Sequence, residues 1–225
     1  MQLRKSFVIT AVLVAAGLVG VTSAAASAGT TTVNGNSSAG TSAINGVFTS
    51  GTATLSALGP ATYGCSGGSV AGTVQRGSGP AGFSFPTLSL TCNTPVPGYA
   101  ATIVLQPGCA VTTGFTSGVT SGATDVVSGS ATFPTSPTPA CVRMFIAGTA
   151  CTAYAYGTVS ASFAETVVTM GGVNYQELTL NGTGGFLTGQ SAGCAFLFSG
   201  GFALNNIVFS LQVTGGTTTG ITFGP

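Results

Sequence analysis

Glu165 and Glu177 are two of only three acids in the chain, and any acid/base catalysis would start from them. Glycoside hydrolysis needs one carboxyl to protonate the leaving group and a second to act as base or nucleophile. The two residues flank Gly171-Gly172 within Thr158–Leu180, where two β-favouring runs read as a hairpin with a left-handed turn. If Met170 faces Val173, Val168 faces Tyr175 and Phe163 faces Leu180; Glu165 and Glu177 then differ in parity and point to opposite faces. Solvated acids, or acids paired with Arg143 or Arg76, are the plainer reading, and a hydrolase is the weakest of the functions considered. In the same register the apolar face switches partway along the hairpin, which calls for a bulge or for a tip projecting past the core.

Two further motifs carry familiar spacings. Gly64-Cys65-Ser66-Gly67-Gly68 matches G-x-S-x-G, but a serine nucleophile needs a base. The chain has no histidine, and its only lysine is Lys5, so the motif reads as a glycine turn beside a disulfide. Gly77-Ser78-Gly79-Pro80-Ala81-Gly82 matches G-x-G-x-x-G, yet it leads into the strand candidate FSFPTLSL rather than a helix N-terminus, so a loop is expected. Three acids are also few for a calcium site.

Cys65, Cys92, Cys109, Cys141, Cys151 and Cys194 make an even set, best read as three disulfides of an exported protein, with Cys65–Cys92 the preferred near-neighbour pair. Without histidine or C-x-x-C spacing the set does not read as a metal site, and no cofactor is expected. Tyr154 and Tyr156, at i and i+2, share one strand face; such a pair lines a core edge or offers a surface contact.

These residues have to be placed by β-structure. Residues 1–28 have the parts of a secretory signal: Arg4 and Lys5, the apolar run Phe7–Val21, and Ala26-Ser27-Ala28. Two of the four positive charges fall there, leaving two against three acids over the other 197 residues. Two isolated arginines cannot displace the counterions of nucleic acid, nor form a polybasic patch for a membrane surface. Residues 29–50 read as a Gly/Ser/Thr-rich leader or a weak first strand, and 51–225 as one all-β domain. Candidate strands are Thr52–Ala57, Ser69–Val74, Phe83–Thr91, Ala100–Gln106, Ala123–Phe133, Val142–Ala147, Ala150–Phe163, Cys194–Ser199, Phe202–Thr214 and Gly220–Phe223. The Pro-rich stretch Phe133–Pro139 reads as a long loop inside that domain.

The expectation is an exported antiparallel β-sandwich or barrel, stapled by disulfides and secreted or held at the cell-envelope surface. With almost no charge to guard strand edges, either the edges pair by design or a closed barrel removes them. The stretches GCSGGSVAGTV, FPTLSLTCN and LNGTGGFLTGQSAGCAF resemble secreted Gly/Thr/Ser-rich bacterial surface proteins of the alkane-oxidation-activator (PraB-like) group. That resemblance implies a non-enzymatic surface protein linked to hydrophobic substrates, surface colonisation or fibres. The expected role is therefore structural or interactional, contacting itself or hydrophobic material. An envelope β-barrel or pore is the alternative, and it alone would bring a membrane partner.

Overall fold

Branched or aromatic residues alternating with Thr, Ser and Gly give each strand one apolar and one hydroxyl-rich face. The structure, a computed structural model, describes residues 29–57, 59–93, 100–116, 126–135, 140–188, 201–215 and 220–224. Within them the strands are β1 (Gly29–Val33), β2 (Gly40–Ala57), β3 (Gly59–Gly79), β4 (Phe83–Asn93), β5 (Ala100–Leu105) and β6 (Val111–Phe115). They continue as β7 (Val126–Phe133), β8 (Val142–Ile146), β9 (Thr152–Met170), β10 (Val173–Thr188), β11 (Gly201–Val213) and β12 (Ile221–Gly224). The pairings among them are antiparallel.

Five long strands lie side by side in the order β3-β2-β11-β10-β9. The rest of the wall is split end to end. Toward one end, here the lower, β9 pairs β7, β7 pairs β6, and β6 pairs Ser84 and Phe85 of β4. Toward the upper end, β9 pairs β8, β8 pairs β5, and β5 pairs Ser89–Asn93 of β4. The β3–β4 ladder then closes the circuit, so either route returns to its start. Of the two architectures open to the sequence, these pairings form a barrel. Closure removes free edges over the middle of the wall, whereas Gly59–Gly64 of β3 pair only β2 and β9 beyond Ala164 pairs only β10.

The inward positions hold the apolar core. Strand β9 shows the rule: Ala153, Ala155, Val159, Ala161 and Phe163 are buried, whereas Thr158 and Ser160 are exposed. In the lower half, Phe83 packs against Phe85, Phe115, Phe163 and Phe223, with ring centroids 5.1–5.7 Å apart. Those spacings fall in the range of favourable edge-on and tilted aromatic pairs. β1 runs from the end of β3, pairing Gly29 with Gly79, and β12 pairs β1 in turn. Because Phe223 touches rings from β4, β6 and β9, β12 lies across the lower mouth of the barrel.

Of the two readings open for residues 29–50, leader or weak first strand, the structure has strand: they supply β1 and the first half of β2, and Val33 and Ile44 are in the core. At the hairpin, Gly171 and Gly172 take φ of 60° and 81° between paired Met170 and Val173, as a two-residue turn requires. Both explanations for its switching face hold. The register shifts between Tyr175 and Glu177, so Phe163 faces Leu178 rather than Leu180, and the outward tip leaves Val168 and Met170 exposed. Gly64–Gly68 is no turn: it runs along β3, with a register shift between Cys65 and Gly67. Strand β6, two Thr and a Gly between Val111 and Phe115, had no signal strong enough to expect it. Residues 1–28, the strand expected at Cys194–Ser199 and residues 136–139 of the Pro-rich stretch lie outside the described residues.

Cys65 bonds Cys92, its direct partner across β3 and β4, and Cys109 bonds Cys141. Cys151 is also disulfide-bonded, while Cys194 lies outside the described residues. These bonds mark the folded chain as one of an oxidising, extracytoplasmic compartment.

Candidate functional site

The two glutamates do not meet. Glu177 is exposed on the outer wall, between its ladder partners Ala164 and Ser210. Glu165 follows Phe163 on the inward side of β9, and its Oε1 accepts a 2.6 Å hydrogen bond from the Phe223 backbone N–H. Beside it, Gln176 is 3% exposed and reads the backbone of Ile221 in both directions. Its Oε1 accepts from Ile221 N–H at 2.7 Å, and its Nε2 donates to Ile221 C=O at 2.8 Å. The second amide proton goes to the Glu165 carbonyl at 2.6 Å. These side chains do for one edge of β12 what a neighbouring strand would do, while β1 supplies the ladder on the other edge. Glycine is required at position 220: its φ is +73°, and a Cβ there would stand 2.7 Å from Gln176 Oε1. The carboxylate singled out for chemistry therefore holds a backbone in place. Gln176 was not foreseen, because a lone Gln in a strand gives no signal until its inward position is known.

A second cluster sits on the outer wall of the upper half, where β8 pairs β9. Val104, Arg143, Tyr154 and Thr188 are successive partners across β5, β8, β9 and β10. The exposed Arg143 guanidinium lies 5.2 Å from the centre of the Phe145 ring, within cation–π range. Tyr154 and Tyr156 share this outward face and are half-exposed, as is Phe145. The expected tyrosine pair thus joins a ring and a cation that sequence spacing alone did not connect to it. Arg143 and Phe145 are themselves i and i+2, and a β8–β9 pairing guess would have brought the four together. Tyrosine and phenylalanine supply flat contact area with few rotatable bonds, and the guanidinium adds a planar, weakly hydrated charge.

Inside the same half, above the phenylalanine cluster, is a cavity of about 30 Å³. Leu90, Ile103, Phe133, Val142, Leu180 and Ile207 are among its lining residues, and the lining presents no polar surface. A water there would find no hydrogen-bond partner in the lining.

Among the described residues, no group of three His, Cys, Asp or Glu side chains is placed to hold a metal ion. No helix of the described residues is long and apolar enough to cross a membrane. No protein-family model, curated protein or solved structure matches the chain.

Proposed function

We propose that this is a non-enzymatic, secreted or surface-held contact protein, a rigid barrel that meets hydrophobic material and other copies of itself. The observation that carries the reading is the outward face formed by Arg143, Phe145, Tyr154 and Tyr156 on an exterior otherwise rich in Thr, Ser and Gly. Rings that pack in a core would point inward. Here strand parity turns them out, while Ala153 and Ala155 of the same strand are the buried residues. The exposed Val168 and Met170 at the β9–β10 tip add apolar surface of the same kind. The disposition of the two glutamates fits a non-enzymatic role, since one is tied to backbone and the other faces solvent.

The wall also favours a barrel standing in water over one standing in lipid. A membrane barrel turns its apolar residues outward and keeps a polar interior. This barrel has the reverse: Phe115, Phe163 and Phe209 are buried inside, and Thr112, Thr132 and Thr158 form an exposed outer row across β6, β7 and β9.

Adsorption to alkyl-coated beads or hydrocarbon droplets tests the reading. Burying two half-exposed rings is worth on the order of 1 kcal/mol each, so Tyr154→Ser with Tyr156→Ser should lower the adsorption constant about tenfold or more. Failure of the unaltered protein to adsorb, or equal adsorption by the double variant, would overturn it.

A further inference from the structure

We infer that the lower half of the outer wall carries a saccharide site: a hollow that seats one ring of a neutral glycan, continued by a row of hydroxyls along which the next rings lie. The inference goes beyond the function proposed above and is independent of the ring-and-guanidinium face, which belongs to the upper half where β8 pairs β9.

The hollow forms where β4 runs out. Thr73, Ser84 and Thr112 are successive partners across β3, β4 and β6, but β4 begins at Phe83. One step further down, between Gln75 of β3 and Gly114 of β6, the wall has the connection Pro80–Gly82 in place of a strand. Neither Gly82 nor Gly114 brings a side chain, and a Cβ on Gly82 would run into the Thr113 carbonyl, so the connection lies flat against β6. The space left is about 210 Å³, and Thr41, Thr73, Gln75, Pro80, Ser84 and Thr112 are among the residues that line it. Its floor is fixed: Phe115 N–H donates to the Ala81 carbonyl at 2.9 Å, and Phe83 N–H donates to Thr113 Oγ1 at 2.8 Å. A floor held in this way has little ordering left to lose when a ligand arrives.

The lining selects the chemistry of the ligand. It contains no charged side chain, so it offers no counter-charge to an anion or a cation. The hydroxyls of Thr41, Thr73, Ser84 and Thr112 and the amide of Gln75 can each donate and accept. Among the described residues no hydrogen bond occupies any of these five side chains. An apolar ligand would take water from them and return no partner. A peptide strand would need a ladder, yet Phe115 N–H and the Ala81 carbonyl on the facing backbone already bond each other. What fits is a neutral molecule dense in hydroxyls, with C–H faces to lie on Pro80 and the threonine methyls, and a sugar ring is such a molecule. The volume falls below the roughly 300–1,000 Å³ of pockets that enclose a drug-sized ligand, which suits a single ring.

The hydroxyls continue beyond the rim. Thr112 pairs Thr132, and Thr132 pairs Thr158, all three exposed. With Thr73 and Ser84 they make one row across β3, β4, β6, β7 and β9. At about 4.8 Å per strand the row spans about 19 Å, enough for further rings of a glycan whose first ring sits in the hollow.

Amide chemical shifts of the ¹⁵N-labelled protein, titrated with neutral di- and hexasaccharides of glucose, mannose and N-acetylglucosamine, test the site. At least one sugar series should shift the amides of Thr73, Gln75, Gly82 and Thr112 saturably, with the hexasaccharide bound several-fold more tightly than its disaccharide. Gln75→Ala with Thr112→Val removes two hydrogen-bonding groups and should weaken both sugars about tenfold. Thr132→Val, outside the hollow, should weaken the hexasaccharide about threefold and leave the disaccharide unchanged. These three side chains are exposed, and an unchanged melting temperature reports that the variants fold. Tyr154→Ser with Tyr156→Ser should alter none of these shifts, which separates failure of this site from failure of the adsorbing face. No saturable shift with any of the sugars, the same shifts with glycerol, or undiminished binding by the Gln75→Ala, Thr112→Val variant would overturn the inference.

Discussion

Replacing Gln176 by Ala should cost far more than a strand glutamine normally would. The side chain is 3% exposed and makes three hydrogen bonds of 2.6–2.8 Å, two of them to the backbone of Ile221. Alanine leaves the Ile221 N–H and C=O without partners at a position where the residue is 1% exposed. Each stranded group costs about 1–3 kcal/mol, and water entering from the mouth recovers part of that, so the loss should be about 2–5 kcal/mol. For a domain of this length that corresponds to a melting temperature lower by roughly 5–15 °C. Thermal unfolding followed by circular dichroism measures it, and amide exchange at Ile221 and Phe223 should quicken out of proportion to the rest of the barrel. Gln176→Glu sharpens the test. A carboxylate there cannot donate to the Ile221 or Glu165 carbonyls, so burial among acceptors raises the folded-state pKa of the new side chain. The sign follows from linkage. A proton held more tightly in the folded state stabilises fully below the unfolded pKa of about 4.3, and that stabilisation is lost as pH rises through the higher folded value. The Glu variant should therefore gain stability relative to the Ala variant on acidification. An Ala variant within about 0.5 kcal/mol of the unaltered protein would refute the clamp.

Phe83→Ala removes the ring that touches four others and should cost about 3–5 kcal/mol in urea unfolding, whereas a loss below about 1 kcal/mol would mean the cluster does not organise the core. Val142→Ile adds one methylene beside the apolar cavity of about 30 Å³ and should be neutral or stabilising by about 0.5–1.5 kcal/mol; clear destabilisation would show that the space is already filled. Cys109→Ala with Cys141→Ala opens a link spanning 32 residues and should cost about 3–4 kcal/mol by chain entropy, read as a shift in the denaturant midpoint.

What could be read in the sequence was whatever depends on alternation and on the chemistry of single residues. Gly171-Gly172 marked its turn because two adjacent left-handed residues have few other uses, and Val142–Ala147 marked β8 to within a residue. Closure of the ring was not legible, since it depends on β4 and β9 each serving two neighbours in succession along their length. Residues 29–50 could be read as a leader or as a weak first strand because Thr, Ser and Gly dominate them. Only a partner sheet reveals that Val33 and Ile44 reach the core while the hydroxyls stay outside. Tyr154 and Tyr156 were legible as a pair on one face, but Arg143 and Phe145 joined them through a pairing that spacing does not encode. Glu165 was legible as an unusual acid, and its role was not, because its partner is a backbone N–H 58 residues away.

The scarcity of charge, which first suggested edges that pair by design, takes a different meaning once the ring is closed. Charged residues on strands chiefly guard exposed N–H and C=O groups against other chains. Where the wall's strands are paired on both sides there is little to guard, so its exterior there can be made of Thr, Ser and Gly without inviting edge-to-edge stacking. Rows such as Thr112, Thr132 and Thr158 put hydroxyls toward water, with Thr132 and Thr158 Oγ1 atoms 3.5 Å apart. Such a surface is hydrated but carries little long-range field, so it neither repels a neutral surface nor steers ions toward it. On the proposed reading, contact falls to the place where that pattern is broken, the patch where rings and a guanidinium face outward.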